Sequence, residues 1–241
     1  MNGFAAEGIQ LKKRYERGSE TVRALDGVDI QLQEGTVTAL AGPSGSGKST
    51  LLNLIACLDS PSEGELWING RNVANASERE LTAIRRNTIG FIFQRFHLIP
   101  TLTAEENALL PTLFSRQKTD RKRVDETFER VGMSGKRNLP ASQLNSGDRQ
   151  RVAIARAVVN APKILIADEP TGSLETSMRD VVGDLFKELA QDGIAVLAAT
   201  HDLELADVCD QTLYLENGQL ASKEESSLFK GEALATAAVD S

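Results

Sequence analysis

The sequence predicts an α/β fold: a mostly parallel sheet flanked by helices, with an antiparallel β part at the N-terminus and an inserted α-helical subdomain. Three observations carry this. Short apolar runs alternate with amphipathic stretches along the 241 residues. A glycine-rich loop, Gly42 to Thr50, lies between a strand-like run (36–41) and a helical one (48–58). Ile164 to Ala167, bounded by Pro162 and Pro170, and Ile194 to Thr200 read as strands with Glu175 to Ala190 helical between them, a β-α-β crossover unit.

In chain order, strands are expected near 8–14, 28–33, 36–41 and 66–70, with turns at Asp26-Gly27, Glu34-Gly35 and Asn69-Gly70. The helix after the glycine loop places Leu51, Leu52, Ile55 and Leu58 on one face and stops at Asp59-Ser60-Pro61. Phe91 to Phe93 reads as a strand running into Gln94. From 94 to about 160 the reading turns helical, over Thr103 to Leu110, the charged 119–132, and Ser146 to Val159. The whole chain is expected to form one domain, with a core of 1–93 and 161–220 around a helical subdomain of 94–160. The Ala-, Ser- and Glu-rich stretch 221–241 reads as a mobile tail with weak helix.

With 41% hydrophobic and 25% charged residues, composition excludes a disordered or collagen-like chain, and this length does not need a disulfide-stapled scaffold. A net charge of −7 argues against a nucleic-acid partner bound through a broad basic face. No apolar run approaches the roughly 20 residues that span a bilayer, and the N-terminus lacks the order of a signal peptide, so a cytoplasmic location is expected. Cys57 and Cys209 read as free thiols of a reducing compartment. The charged stretch Arg116 to Arg130 mixes both signs at helical spacing and reads as a solvated face.

The strongest chemical signal is Gly42-Pro-Ser-Gly-Ser-Gly-Lys-Ser-Thr50, which fits the phosphate-loop pattern between a strand and a helix. Its glycines Gly42, Gly45 and Gly47 let backbone N–H groups face phosphates, together with Ser44, Ser46 and Thr50. Lys48 is placed to reach the terminal phosphates and the Ser49 hydroxyl to coordinate Mg2+, while the helix N-terminus adds positive potential. The second signal is the apolar run ending in Asp168-Glu169. Parallel sheets bind ligands at the carboxyl ends of their strands, and adjacent strand residues point to opposite sides. Asp168 can then serve Mg2+ and Glu169 the attacking water. A lone Asp-Glu-Pro is more often an acid-capped turn; downstream of a phosphate loop the catalytic reading prevails. Four strands should thus deliver Gly42, Gln94, Asp168 and His201 to one sheet edge, where His201 could polarise a γ-phosphate; alone, a surface or capping histidine is the commoner case. His97 reads as a surface or partner-facing residue.

Taken in order, these motifs resemble the ATP-binding subunit of an ABC transporter, a P-loop ATPase, over about residues 8–220. The resemblance adds Tyr15 as the aromatic that stacks on adenine, Gln94 as a metal ligand in the loop that joins the helical subdomain, and Leu144 to Arg151 as the signature region. Glu169, His201 and Lys48 are its catalytic group, Ser49, Gln94 and Asp168 its Mg2+ ligands. Gly90 to Asn107 and Asp168 to Gly172 look most like the lipoprotein-releasing and macrolide-exporting branch. The resemblance implies ATP and Mg2+ as cofactors and a dimer of ATPase subunits, a homodimer by default, that sandwiches ATP between one subunit's phosphate loop and the other's signature. It also implies a membrane permease partner, peripheral attachment to the inner face of the membrane, and coupling through Phe96, Leu98 and Ile99. Relatives acting on DNA carry long coiled-coil insertions and translation factors carry two ATPase units, and neither fits; a phosphotransferase would not need the signature or His201.

The sequence departs from the family at the signature, where Asn145 stands for the usual Ser, Ser146 for the usual Gly and Asp148 for Gln or Glu, beside Gly147. Asn145 or Ser146 can still cap the following helix, whose free N–H groups form an anion site. Glu175 likewise stands for the usual Asp in the loop after the carboxylates.

Overall fold

The computed structural model describes residues 3–18, 20–114, 120–172, 174, 176–223, 226 and 228. Its elements in order are strands β1 (Phe4–Arg17), β2 (Glu20–Gln33) and β3 (Val37–Ala41), helix α1 (Lys48–Ile55), strands β4 (Glu63–Ile68) and β5 (Arg71–Asn72), helix α2 (Glu78–Thr88) and strand β6 (Ile89–Ile92). Helices α3 (Ala104–Leu109), α4 (Arg121–Arg130) and α5 (Ser146–Val158) follow, then β7 (Ile164–Asp168), α6 (Thr176–Gln191), β8 (Ala195–Thr200), α7 (Leu203–Asp207), β9 (Gln211–Glu216) and β10 (Gln219–Ala221). Among the described residues the strands form two sheets. One is antiparallel, in the order β2-β1-β4-β5; the other, β10-β9-β3-β8-β7-β6, is parallel except for its edge pair β9-β10.

The parallel sheet is apolar on both faces, as crossover topology demands. Along β7, Ile164 and Ile166 join the core shared with α1 and the antiparallel sheet, whereas Leu165 and Ala167 join the core built with the helices. In β8, Ala195, Leu197 and Ala199 face the first core, and Val196 and Ala198 the second. Period-two alternation therefore sorts one continuous apolar run into two layers.

Several expectations are corrected. Asp26-Gly27 is not a turn: Leu11 pairs with Val28 and Lys12 with Asp26, so Gly27, at φ 87°, is the extra residue of a bulge inside β2. By contrast Asn69 and Gly70 both take positive φ and close the tight β4–β5 hairpin. The first helix ends at Ile55 rather than Leu58, because Cys57 turns left-handed (φ 55°), and Leu58 is left half exposed. Helix α2 is an element beyond those expected from the sequence. Its 78–88 stretch has Leu81 and Ile84 as its only buried residues, while Ser77 and Glu80 form a capping box that the sequence displays. The bulk of the expected tail (224–225, 227, 229–241) lies outside the described residues, as do Arg116, Lys118 and Glu175. Cys57 and Cys209 are both free thiols whose pKa burial pushes up to about 11.

Candidate functional site

The carboxyl ends of β3, β6, β7 and β8 open onto one cavity of about 670 Å³. Ser44, Gly45, Gly47, Lys48, Ser49 and Thr50 line it from the loop after β3, facing Gln94, Asp168, Glu169 and His201. Val22, Arg23 and Ala24 of β2 complete the wall. Arg23 was not anticipated, because nothing in a strand's own periodicity shows which sheet end another sheet will cover.

The loop after β3 is shaped by close approach. A Cβ on Gly42 would sit 2.2 Å from the Leu215 carbonyl oxygen, and one on Gly47, whose φ is 112°, would sit 2.5 Å from that of Ala24. Only glycine fits either position. Gly47 also N-caps α1 without a side-chain acceptor, and no acidic residue occupies the first turn, so the first N–H groups and the positive end of the helix dipole stay available to an anion. Lys48, 8% exposed, donates from Nζ to the carbonyls of Gly42 (2.7 Å) and Pro43 (3.0 Å), bent back over its own loop. Gly42 and Ser46 shape this loop from behind and do not line the cavity.

Across the cavity, Ser49 Oγ donates to Asp168 Oδ1 at 3.4 Å. Burial raises the Asp168 pKa, the Glu169 carboxylate adds to the rise, and Ser49 and Lys48 oppose it. Glu169 is not part of the strand. It turns left-handed (φ 49°) just after β7, its N–H donating to the Ala199 carbonyl. The two carboxylates are therefore separated by a turn rather than by strand alternation. His201 Nδ1 lies 2.7 Å from Glu169 Oε2, with the carboxylate side chain 12% exposed and the imidazole 66% exposed. Asp202 pins this turn: its N–H donates to Thr200 Oγ1, its carboxylate caps α7 at Glu204 N–H and pairs with Arg179 at 2.9 Å. The sequence shows that cap as an Asp just ahead of Leu-Glu-Leu-Ala.

Residues 25–172, more than half of the chain, match the family described as ABC transporter. The chain belongs to the ABC transporter family. The cassette is 42% identical over 216 residues to the lipoprotein-releasing system ATP-binding protein LolD 1 of Rhodopseudomonas palustris, covering 88% of this chain and 96% of that one. It is 37% identical over 214 residues to the macrolide export ATP-binding/permease protein MacB of Bdellovibrio bacteriovorus, covering 89% of this chain and 33% of that longer one. The dimeric structure of MJ0796, a protein of Methanocaldococcus jannaschii, matches with a TM-score of 0.83 at 41% identity over 90% of this chain and 97% of that chain. A second MJ0796 structure, a dimeric post-hydrolysis state bound to ADP and Pi, matches equally well at 40% identity. Among the described residues no helix of the cassette is long and apolar enough to cross a membrane.

Other expected positions lie apart from the cavity. Tyr15 pairs with cavity-wall residue Val22 but does not line the cavity itself. Its hydroxyl donates to Asp59 Oδ2 (2.9 Å), and the Lys13 ammonium sits 5.0 Å from its ring centroid. In the signature, Asn145 rather than Ser146 is the cap: its Oδ1 accepts from Asp148 N–H at 2.7 Å. Asn145 and Ser146 are exposed, Gly147 is buried, and Asp148 pairs with Lys136 at 2.6 Å. Of the coupling residues, Ile99 is exposed, Phe96 is half-buried, and Leu98 packs against the helical core. The segment they occupy is latched by Asn107, fully buried, which accepts from Ile99 N–H and donates to the carbonyls of Ile99, Leu102 and Thr103. Sequence reasoning missed this latch, since a single Asn on a helix carries no periodic signal. A separate apolar groove of about 490 Å³ is lined by Ile89, Phe91, Phe93, Pro111, Phe114 and Arg156 among others.

Proposed function

We propose that the cassette binds ATP with Mg2+ at this cavity, hydrolyses it as a dimer, and drives a separate membrane permease from the cytoplasmic face. The observation that carries the reading is the meeting of the phosphate loop, Asp168, Glu169 and His201 around one cavity. In this reading α1 and its loop hold the phosphates through backbone N–H groups, and Lys48 leaves its carbonyls for the more strongly charged phosphate oxygens. Ser49, Gln94 and Asp168 would hold Mg2+, which when bound supplies positive charge against the phosphate oxygens. An all-oxygen donor set with one half-buried carboxylate suits that hard cation, which keeps waters and phosphate oxygens as its other ligands. Glu169 takes the proton of the attacking water. His201, with its Nδ1 2.7 Å from Glu169 Oε2, stands beside this carboxylate and leaves its Nε2 for the γ-phosphate side.

The likeness to LolD 1 and MacB supports a lipoprotein-, lipid-, macrolide- or peptide-exporting system, and the dimeric MJ0796 structures support a second ATPase subunit, with Asn145 to Asp148 completing the partner's site. Residues 1–93 and 161–220 serve as the nucleotide core and 94–160 as the helical subdomain. Ile99 and Phe96 serve as the docking face for the permease, with Leu98 assigned to packing. The test is steady-state phosphate release by the purified chain with Mg2+ or with excess chelator. Hydrolysis that needs Mg2+ and is lost in Glu169→Gln while nucleotide binding persists is expected. Chelator-insensitive hydrolysis, or equal loss of binding and turnover, would overturn it.

A further inference from the structure

Three arginines of α5 each grip the backbone of a different segment. Arg149 donates to the carbonyls of Ala141 and Ser142, and Arg151 to that of Val131. Both tie together pieces of the helical part. Arg156 reaches elsewhere: Nη1 donates to the His97 carbonyl and Nη2 to the Phe96 carbonyl, each at 2.7 Å. That stretch leads directly from Gln94 at the cavity.

The local backbone is shaped for this contact. Consecutive carbonyls of an extended chain point to opposite sides. His97 is left-handed instead (φ 47°), which brings its carbonyl to the same side as that of Phe96, and its ring packs 5.1 Å from Phe93 at the end of β6. Among the described residues no carboxylate pairs with Arg156, and burial pulls its pKa down. A desolvated cation with no counter-ion depends on its carbonyl acceptors, so this pair of hydrogen bonds holds with little tolerance for displacement. At the other end of α5, eleven residues or about 16 Å away at 1.5 Å per residue, lies the Asn145 cap. Phe93 and Arg156 also line the apolar groove.

We propose that Arg156 is a positioning residue that fixes the Phe96–His97 backbone to α5, so that Gln94 in the cavity and the Asn145 end of the helix shift as one body. The proposal rests on the assignment of Gln94 to the nucleotide site. A lysine keeps the charge but has no planar fork, so it cannot hold two carbonyls in this geometry.

The experiment uses the full chain with Arg156→Lys, Gln94→Ala and the double variant. Arg156→Lys is expected to lower kcat about tenfold with KM for ATP moving less than threefold and with an unchanged unfolding midpoint. In the Gln94→Ala background the same change should cost nothing further, since a residue acting through Gln94 has no lever once Gln94 is gone. Additive losses, an unchanged kcat, or a loss that follows a lowered unfolding midpoint would overturn the proposal. A second arm does not need turnover. Hydrogen exchange of Glu169→Gln protein is expected to show ATP protecting residues 96–99 and the first turn of α5 together, and in the added presence of Arg156→Lys only the former. Protection of both segments in that variant would overturn the linkage. Absence of any hydrolysis by the unmodified chain would instead count against the proposed function, leaving the exchange result to decide on Arg156.

Discussion

In the nucleotide core, the side chains that meet at the cavity stand at the ends of strands whose interiors are buried, and the sheet itself sets their positions. In the helical part, placement falls to polar side chains that reach across to carbonyls: Asn107 onto the 99–103 loop, and Arg149, Arg151 and Arg156 onto three other segments. The difference follows from geometry. A parallel sheet satisfies its own backbone and leaves only its strand ends for chemistry. Irregular segments between short helices do not complete their own regular ladder of hydrogen bonds, and side chains supply part of what is missing. Substitutions should therefore remove function without stability at the core's edge, and stability along with function at Asn107, Arg149 and Arg151 of the helical part.

The largest effect expected at the core edge is that of Glu169→Gln, which should cut hydrolysis by roughly 10²- to 10⁴-fold with nucleotide affinity kept, measured by phosphate release beside equilibrium binding. A comparable fall in unfolding midpoint would break the contrast. In the helical part, Asn107→Ala leaves the Ile99 N–H without its acceptor, while the carbonyls of Ile99, Leu102 and Thr103 keep backbone donors from Leu102, Ala141 and residue 107, and should cost about 2 kcal/mol in urea denaturation. A loss below about 1 kcal/mol would mean that water replaces the latch.

Tyr15 lies between the two cases, tied to Asp59 beside the cavity rather than in its lining. If it stacks on adenine, Tyr15→Ala should weaken nucleotide binding by about 1 to 3 kcal/mol and Tyr15→Phe much less. Equal affinities for the two would assign Tyr15 to structure alone. The double change Asn145→Ser with Ser146→Gly should strengthen ATP-dependent dimerisation in a Glu169→Gln background by about 1 kcal/mol, the net worth of one hydrogen bond, and leave monomer binding unchanged. Because Asn145 already caps α5, Asn145→Ala should instead lose about 1 kcal/mol of stability.

The smallest expected effects are pH shifts of opposite sign. Burial raises Asp168, so the folded protein binds that proton more tightly than the unfolded chain does. Without ligand, stability then rises as pH falls through the folded pKa, while Mg2+-dependent nucleotide binding weakens over the same range. At Asp59 burial is outweighed by Lys13, the Ser60 N–H and Tyr15, the pKa is lowered, and its contribution is present above the unfolded pKa and lost as pH falls through the folded one. Melting curves of Asp168→Asn and Asp59→Asn across acid pH should lose these two slopes separately.

The meeting of the phosphate loop, Asp168, Glu169 and His201 at one cavity was legible because a phosphate-binding loop and a polar residue at or just after the end of an apolar strand are local patterns, carried by a few residues in a row. The two-layer core was legible for the same reason, since alternation along Ile164 to Ala167 and Ala195 to Thr200 already assigns each side chain to a face. Contacts between distant segments were decided only in three dimensions. Leu58 lost its helix to a left-handed Cys57, Gly27 became a bulge where a turn was expected, and Arg23 reached the cavity because a second sheet covers the loop after β3. Arg156 and Asn107 are ordinary helix residues in sequence, and what they do depends on which backbone groups the tertiary fold brings within reach of their side chains.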